Sequence, residues 1–429
     1  MDTIFAVSSG APPAAIAVLR LSGSRAFAAV EALGGALPEP RRAALRALRD
    51  PVSGELLDRA LVLVFPGPRS ATGEDLAELH LHGGRAVVRA IEAALAAIEG
   101  LRPAEPGEFT RRALLSGRLD LSEAEGLGDL LAAETEAQRR VAMRSAEGAV
   151  RRQVEGWEAR LLALAAQAEA LLDHSDEEDV AGFADPLPAL QRGAAALAAA
   201  VEAVAARPPV ERLRDGLRVV LAGPPNAGKS TLLNALVGRD AAIVSAIAGT
   251  TRDRIEAPVV RDGLAWLFID TAGLNEAPGD AIEEIGIARA RDALASADIL
   301  LWLDDVPPPD HPAALWIHAR SDEPGRGLGS GKDLALSAVT GEGLDVLWEQ
   351  LGRMGAELLP PPDMVALNHR QRGLCLDAAA ALRRASGQAD LLLFAEELRS
   401  ARIAFDAITG RAGVEAMLDA LFGRFCIGK

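Results

Sequence analysis

The stretch Gly223-Pro224-Pro225-Asn226-Ala227-Gly228-Lys229-Ser230 decides how this chain is read. It follows directly on a short apolar run, Leu217-Arg218-Val219-Val220-Leu221-Ala222, and a helix is expected from about Ser230. Strand, glycine-rich loop and helix in that order make a phosphate-binding device. The glycines let backbone N–H groups wrap phosphate oxygens, and the helix turns its positive N-terminus toward them. Lys229 then reaches the β and γ phosphates, and Ser230 is a ligand for Mg²⁺. The chain has three lysines, Lys229, Lys332 and Lys429, among its 45 Lys and Arg. Where Arg serves for nearly every cation, a retained Lys points to a need for a compact ammonium.

The loop alone indicates a nucleoside triphosphatase. Segments downstream narrow the base to guanine. Gly249-Thr250-Thr251-Arg252-Asp253 supplies a threonine that can ligand Mg²⁺ and sense the γ phosphate. Leu267-Phe268-Ile269-Asp270-Thr271-Ala272-Gly273 reads as an apolar strand ending in an Asp for the metal shell, with the Gly273 amide free to meet the γ phosphate. Leu334-Ala335-Leu336-Ser337-Ala338 ends another strand and resembles a guanine-edge loop. The guanine-reading pattern Asn-Lys-x-Asp is present in part, as Ala319-Arg320-Ser321-Asp322. Asp322 can accept two hydrogen bonds from the N1 and N2 edge of guanine, and Arg320 can cover the ring face; the Asn is absent. A second placement, Ser330-Gly331-Lys332-Asp333, abuts the next strand closely. Leu274, not a water-orienting Gln, follows Gly273, so Glu276, Asp280, Glu283 and Glu284 are the candidates for orienting the attacking water.

A length of 429 residues implies two to four domains, and 49% hydrophobic residues are ample for their cores. The net charge of −16 argues against broad electrostatic capture of nucleic acid, though not against a local basic patch. With 3% aromatics and no Tyr, a stacking platform for single-stranded RNA is not expected. Cys375 and Cys426 cannot make a disulfide framework, which suits a reducing cytosol. No basic n-region precedes an apolar run at Met1-Asp2-Thr3-Ile4-Phe5, and no stretch reaches 18 uninterrupted apolar residues. A cytoplasmic chain that does not enter a membrane is expected.

The fold expected is multidomain. Residues 1–118 read as an α+β domain, with strands at Ala15–Leu21 and Ala60–Phe65 and a helix over Ala86–Ile98. Residues 119–215 carry helical spacing over Asp120–Ala133, Glu134–Leu172 and Pro188–Ala206. Residues 216–352 alternate strands and helices, as an α/β domain with a parallel sheet requires. Pro360-Pro361-Pro362 marks a break, residues 363–429 return to helical periodicity, and 353–429 is taken as the second helical segment. The nucleotide domain is thus inserted into an all-α domain built from two segments. The acidic run Asp173–Asp179 reads as a loop or helix cap, and His80 and His82 as structural histidines.

Together these segments resemble the MnmE (TrmE) family of bacterial tRNA-modification GTPases over essentially the whole chain. The loop Pro225–Ser230 and the segment Ala248–Asp253 are shared with the related K⁺-dependent GTPases Era and Der. Distinctive of MnmE are Pro106-Gly107-Glu108-Phe109-Thr110-Arg111-Arg112-Ala113, then Leu119-Asp120-Leu121-Ser122-Glu123-Ala124-Glu125, and the terminal Phe425-Cys426-Ile427-Gly428-Lys429. The resemblance implies a GTP site on Asn226-Ala227-Gly228-Lys229-Ser230-Thr231, Ser245-Ala246-Ile247-Ala248-Gly249-Thr250-Thr251, Asp270-Thr271-Ala272-Gly273, Arg320, Asp322, Ser337 and Ala338. Mg²⁺ would be held by Ser230 and Thr251, and K⁺ by Asn226, Ser245, Ile247 and Thr250. K⁺ would stand where other GTPases place an arginine finger. Glu283 matches the family's water-orienting glutamate, with Glu284 the alternative because the segment is one residue longer than usual.

The same resemblance implies that the N-terminal domain forms a homodimer and binds a 5-formyl-tetrahydrofolate or related folate as one-carbon donor. Arg20, Glu78, Arg118 and Lys429 match that site; Arg118 stands where the family usually has Lys. Cys426, beside Gly428 and Lys429, is assigned to the modification site rather than named its nucleophile. A flavoprotein, MnmG, would join in a heterotetramer, and the substrate would be the wobble uridine of certain tRNAs. Two other readings are an Era- or Der-like ribosome-assembly switch, and a folate-dependent aminomethyltransferase-like enzyme with a regulatory nucleotide domain.

Overall fold

The computed structural model describes residues 2–174, 186–238, 256–271, 292–323, 331–361, 363–411 and 428. Residues 1–128 with 406–429 make one unit, and residues 129–405 make the other.

In the first unit, period-2 apolar patterns become strands and the Ala-rich stretches become helices. The order is β1 (Thr3–Val7), β2 (Ile16–Ser22), α1 (Ala26–Gly34), β3 (Ala44–Arg49), β4 (Leu56–Phe65), β5 (Leu76–His82), α2 (Arg85–Ala96), β6 (Leu101–Pro103), α3 (Glu108–Leu115) and the start of α4 (Leu121–Ala132). The sheet runs β3-β4-β5-β2-β1-β6, antiparallel throughout except for the β1–β6 pair. Alternation sends Leu19, Leu21, Ala60, Val62, Leu79 and Leu81 to one face, where they form a core with Val30, Leu33, Val88, Ile91 and Leu95 of α1 and α2. Arg20, Glu78 and His80 are left on the other face.

α3 is braced by charge. Arg112, 7% exposed, donates to the Asp2 carbonyl and to the Glu74, Glu108 and Asp2 carboxylates. Arg102 closes on Glu108 at 2.6 Å. Burial alone would raise the Glu108 carboxyl, but Arg102, the Glu105 amide and Arg112 hold it below its ordinary range. Part of the Pro106–Ala113 segment is therefore a buttress for the N-terminal strands.

In the second unit, the stretch 134–172 makes two helices rather than one. α5 (Glu136–Ala146) and α6 (Ala149–His174) part at Gly148, whose φ is +80°. Thr135 opens α5 with a capping box to Gln138. α7 (Leu187–Ala205) buries Leu190, Ala194, Leu197, Ala198 and Val201, an i, i+3/i+4 stripe, and α8 (Glu211–Arg214) follows. Then come β7 (Leu217–Ala222), α9 (Lys229–Gly238), β8 (Glu256–Arg261), β9 (Leu264–Asp270), β10 (Ile299–Trp302), β11 (Ala314–Ala319), β12 (Leu334–Leu336), α10 (Leu344–Leu358), α11 (His369–Ser386) and α12 (Leu391–Thr409), whose last residues belong to the first unit. α11 packs along α7, and Trp157 of α6 stacks on Phe405 of α12 at 5.7 Å.

The second sheet runs β12-β11-β10-β7-β9-β8. Its strands are parallel apart from β8, which pairs antiparallel with β9. An all-parallel alternation was the expectation, and β8 corrects it. The turn Asp262-Gly263 has φ of +53° and +76°, the left-handed pair that closes a two-residue hairpin. β7 is buried on both faces, as central parallel strands require: Leu217, Val219 and Leu221 join one core, Val220 and Ala222 the other. α10 runs uninterrupted past residue 352, where the sequence reading had put a boundary, because Trp348, Leu351 and Gly355 are buried beyond and beside that point. Trp348 meets Trp266 and Phe268 edge-on at 5.9 and 5.6 Å. Among the described residues, no helix is long and apolar enough to cross a membrane.

Candidate functional site

β7 delivers the chain into the glycine-rich loop. Gly223 has φ +150°, and a Cβ there would stand 3.1 Å from the Leu303 backbone, so glycine lets the loop leave the strand beside β10. Asn226 takes a left-handed φ of +65°, a conformation Asn tolerates better than most side chains. Lys229, 5% exposed, donates to the carbonyls of Gly223 and Pro224 at 2.9 and 2.8 Å. Burial pushes its ammonium below its ordinary range, and Asp270 opposes that. An arriving phosphate would offer Lys229 a charged acceptor in place of two carbonyls.

Ser230 opens the first turn of α9 and donates to Asp270 Oδ2 at 2.5 Å. Asp270 ends β9, which lies next to β7 with Asp270 opposite Leu221. Two hard oxygens, one hydroxyl and one carboxylate, suit Mg²⁺. Thr271 turns its hydroxyl back to the Leu221 carbonyl at 2.8 Å, so it secures the strand end.

The loop opens into a cavity of about 770 Å³. Ala319, the last residue of β11, lines it with Arg320 and Asp322, and Leu336, the last of β12, with Ala338 and Val339. Arg320, also left-handed with φ +62°, donates to the Asn226 carbonyl at 3.0 Å and pairs with Glu323. The guanidinium thus ties the phosphate loop to the segment expected to read the base. Ser337 is fully buried, and its hydroxyl accepts from the Val339 and Thr340 amides, which shapes the loop that brings Ala338 and Val339 to the cavity. The alternative segment lies elsewhere. Lys332 pairs with Asp305 at 2.6 Å, and Asp333 accepts from the Trp316 amide. Leu232, Glu323 and Val339 were missed from the sequence, while Pro225 and Leu336 stood in the quoted motifs without being singled out. Glu323 had a visible signal, an i, i+3 partner for Arg320.

In the first unit, strand register sets Arg20 opposite Glu78, and the side chains pair at 2.8 Å. Glu78 Oε2 lies 3.3 Å from His80 Nε2, and His82 pairs with the buried Asp58 at 2.7 Å. Arg118 lies beside Gly73 and closes its amide on the Ala113 carbonyl. Gly428, with φ +93°, sits against the Val7 backbone and accepts from the Ser8 hydroxyl at 2.7 Å. Val7 is one residue along β1 from Ala6, the partner of Arg20. The last described residue therefore docks close to the Arg20–Glu78 row. Cys375 is fully buried in α11, and burial pushes its thiol up to about 12, so it is a packing residue.

Ser245, Ala246, Ile247, Ala248, Gly249, Thr250, Thr251, Ala272, Gly273, Glu283, Glu284, Cys426 and Lys429 lie outside the described residues.

A family model described as the GTP-binding protein TrmE N-terminus matches residues 3–118, and another, described as the MnmE helical domain, matches residues 121–426. A tRNA modification GTPase MnmE of Erythrobacter litoralis (strain HTCC2594) is 57% identical over 430 residues, covering 100% of both chains. The protein of the same description from Rhizorhabdus wittichii is 59% identical over 435 residues, covering 100% of this chain and 97% of its own. A third, from Novosphingobium aromaticivorans, is 53% identical over 436 residues and is covered fully on both sides.

Proposed function

The chain belongs to the MnmE family of tRNA modification GTPases, and from that membership we propose that it is a K⁺-dependent, Mg²⁺-requiring GTP hydrolase acting on wobble-uridine modification. The observation that carries the reading is the shared cavity. One wall is a phosphate loop with a buried lysine and a Ser–Asp pair, and the other is the Arg320–Asp322 segment linked to that loop through Asn226.

Lys229 and the loop amides hold the β and γ phosphates. Ser230, with Thr251 and the Asp270 carboxylate, would hold Mg²⁺, which would supply positive charge to the phosphates. Asp322 reads the guanine edge, and Arg320 lies along the base. The Asn226 side chain, with Ser245, Ile247 and Thr250, would hold K⁺, which would supply positive charge against the charge developing on the phosphate. Glu283 orients the attacking water, with Glu284 its alternate. GTP hydrolysis drives a conformational change, and that rather than carbon chemistry is the chain's contribution.

The Arg20–Glu78 pair, with Arg118 and Lys429, takes a 5-formyl-tetrahydrofolate. A guanidinium and a carboxylate side by side offer both donor and acceptor to a polar heterocycle, and the docking of Gly428 near that row supports a role for the adjoining Lys429. Cys426 is assigned to the modification chemistry. The chain acts as a homodimer with the flavoprotein MnmG, which carries the redox steps. Steady-state GTP hydrolysis in K⁺ and in Na⁺, with and without the flavoprotein, tests the reading. Faster turnover in K⁺ supports it, and equal rates in both salts reject K⁺ dependence.

A further inference from the structure

The second unit holds another cavity, of about 680 Å³, at the amino end of β7. It shares no lining residue with the nucleotide cavity. β7 runs from Leu217 here to Ala222 at the phosphate loop, so the two lie about 20 Å apart at roughly 3.3 Å per residue. Five arginines line it: Arg207, Arg212, Arg214, Arg218 and Arg372. That concentration is unexpected in a chain of net charge −16.

Two of the three carboxylates in the wall, Asp298 and Asp215, are committed to arginines, while Glu211 keeps one buried oxygen, Oε2, without a hydrogen-bond partner among the described residues. Asp298 pairs with Arg212 at 2.7 Å and accepts from the Arg218 amide. Asp215 pairs with Arg214. Glu211 accepts from the His369 amide at 2.8 Å. Among the described residues, Arg207 reaches only the Val365 carbonyl, at 3.3 Å. The Nε atoms of Arg218 and Arg372 are buried and have no hydrogen-bond partner among the described residues. A buried guanidinium N–H without an acceptor is costly. Three guanidiniums around one cavity that pair with no carboxylate among the described residues call for an anion with several oxygens, and the planar fork fits phosphate well.

We propose that this cavity is a second phosphate-binding site, which takes a phosphate group of an RNA backbone or a free phosphate through Arg207, Arg218 and Arg372. The site stands independently of GTP hydrolysis, because its walls and the nucleotide's are separate.

The test uses the full chain saturated with GDP and Mg²⁺, so that the phosphate loop is filled. Inorganic phosphate is titrated calorimetrically, and an unmodified tRNA transcript by fluorescence anisotropy at several salt concentrations. The variant is Arg218→Gln with Arg372→Gln, checked for unchanged GDP affinity and melting temperature. At least a tenfold loss of phosphate or tRNA affinity is expected. Loss for tRNA with a shallower salt dependence identifies the RNA backbone as the source. Loss for phosphate alone identifies free phosphate. If the double variant does not fold, Arg372→Gln and Arg207→Gln, each on its own, are read in the same way. Wild-type affinity for both ligands in a folded variant, or no binding of either by the GDP-loaded wild type, overturns the proposal.

Discussion

The Ser230 hydroxyl and the Asp270 carboxylate meet at 2.5 Å, joining the first turn of α9 to the end of β9. The two residues are 40 positions apart, and only the adjacency of β7 and β9 brings them together.

If this pair holds Mg²⁺, Ser230→Ala removes one hard oxygen. The Mg²⁺ concentration for half-maximal GTP hydrolysis should rise about 10- to 100-fold, the cost typical of disturbing a metal's immediate environment. GDP binding in the presence of EDTA should hardly change. A Mg²⁺ titration that superimposes on the wild type would remove Ser230 from the metal site.

Asn226 holds a left-handed backbone and also offers its side-chain amide, and two variants separate these roles. Asn226→Gly keeps the conformation without strain and deletes the amide. Asn226→Lys deletes it and places an ammonium there. Both should lose stimulation of GTPase activity by K⁺. Persistence of that stimulation in Asn226→Gly would show that the amide is not a K⁺ ligand.

Arg320 spans from the Asn226 carbonyl to Glu323. Arg320→Ala should weaken GTP about tenfold, the equivalent of one charge-assisted hydrogen bond of roughly 1.5 kcal/mol. Ala319 lines the same cavity, and Ala319→Asn should tighten GTP binding. Equal Kd values for wild type and Ala319→Asn, measured with a fluorescent nucleotide, would show that Arg320 and Asp322 suffice.

The Arg112 cluster makes a prediction about pH. The Glu108 carboxyl is held below its ordinary range, so its contribution to stability is fully present above the unfolded value of about 4.3 and fades as pH falls through the lower folded value. Thermal melts of wild type and Glu108→Gln should differ at pH 7 and converge as pH falls through the lowered folded value. A gap that stays constant with pH would contradict this. Arg112→Met should destabilise the first unit by about 1–3 kcal/mol, because it leaves the half-buried Glu74 and Glu108 carboxylates without this partner.

Much of this was legible beforehand. β7 begins and ends at the residues its apolar run marks, and the loop after it is recognisable because phosphate binding needs glycines and Lys229 in one continuous segment. The β8–β9 hairpin was also legible in principle, since Asp262-Gly263 between apolar runs is a strong turn signal, yet the alternation of strands and helices masked it. The division of 134–172 into two helices was harder to see. Gly148 sits amid uninterrupted helical spacing, and its left-handed φ is visible only in the folded chain.

The sequence by itself determined the chemistry of each continuous segment: the phosphate loop, the candidate Mg²⁺ hydroxyl, and the family to which the whole pattern belongs. Tertiary structure decided which segments share a site. Asn226 and Arg320 are 94 positions apart, and Ser8 and Gly428 are 420 apart. It also separated Arg320–Asp322, on the cavity, from Lys332 and Asp333, away from it, and gathered the five arginines at the far end of β7. The reason is physical. Periodicity reports the local conformation of a strand or helix, whereas strand order and register follow from the packing of both sheet faces at once, and no single segment carries that information.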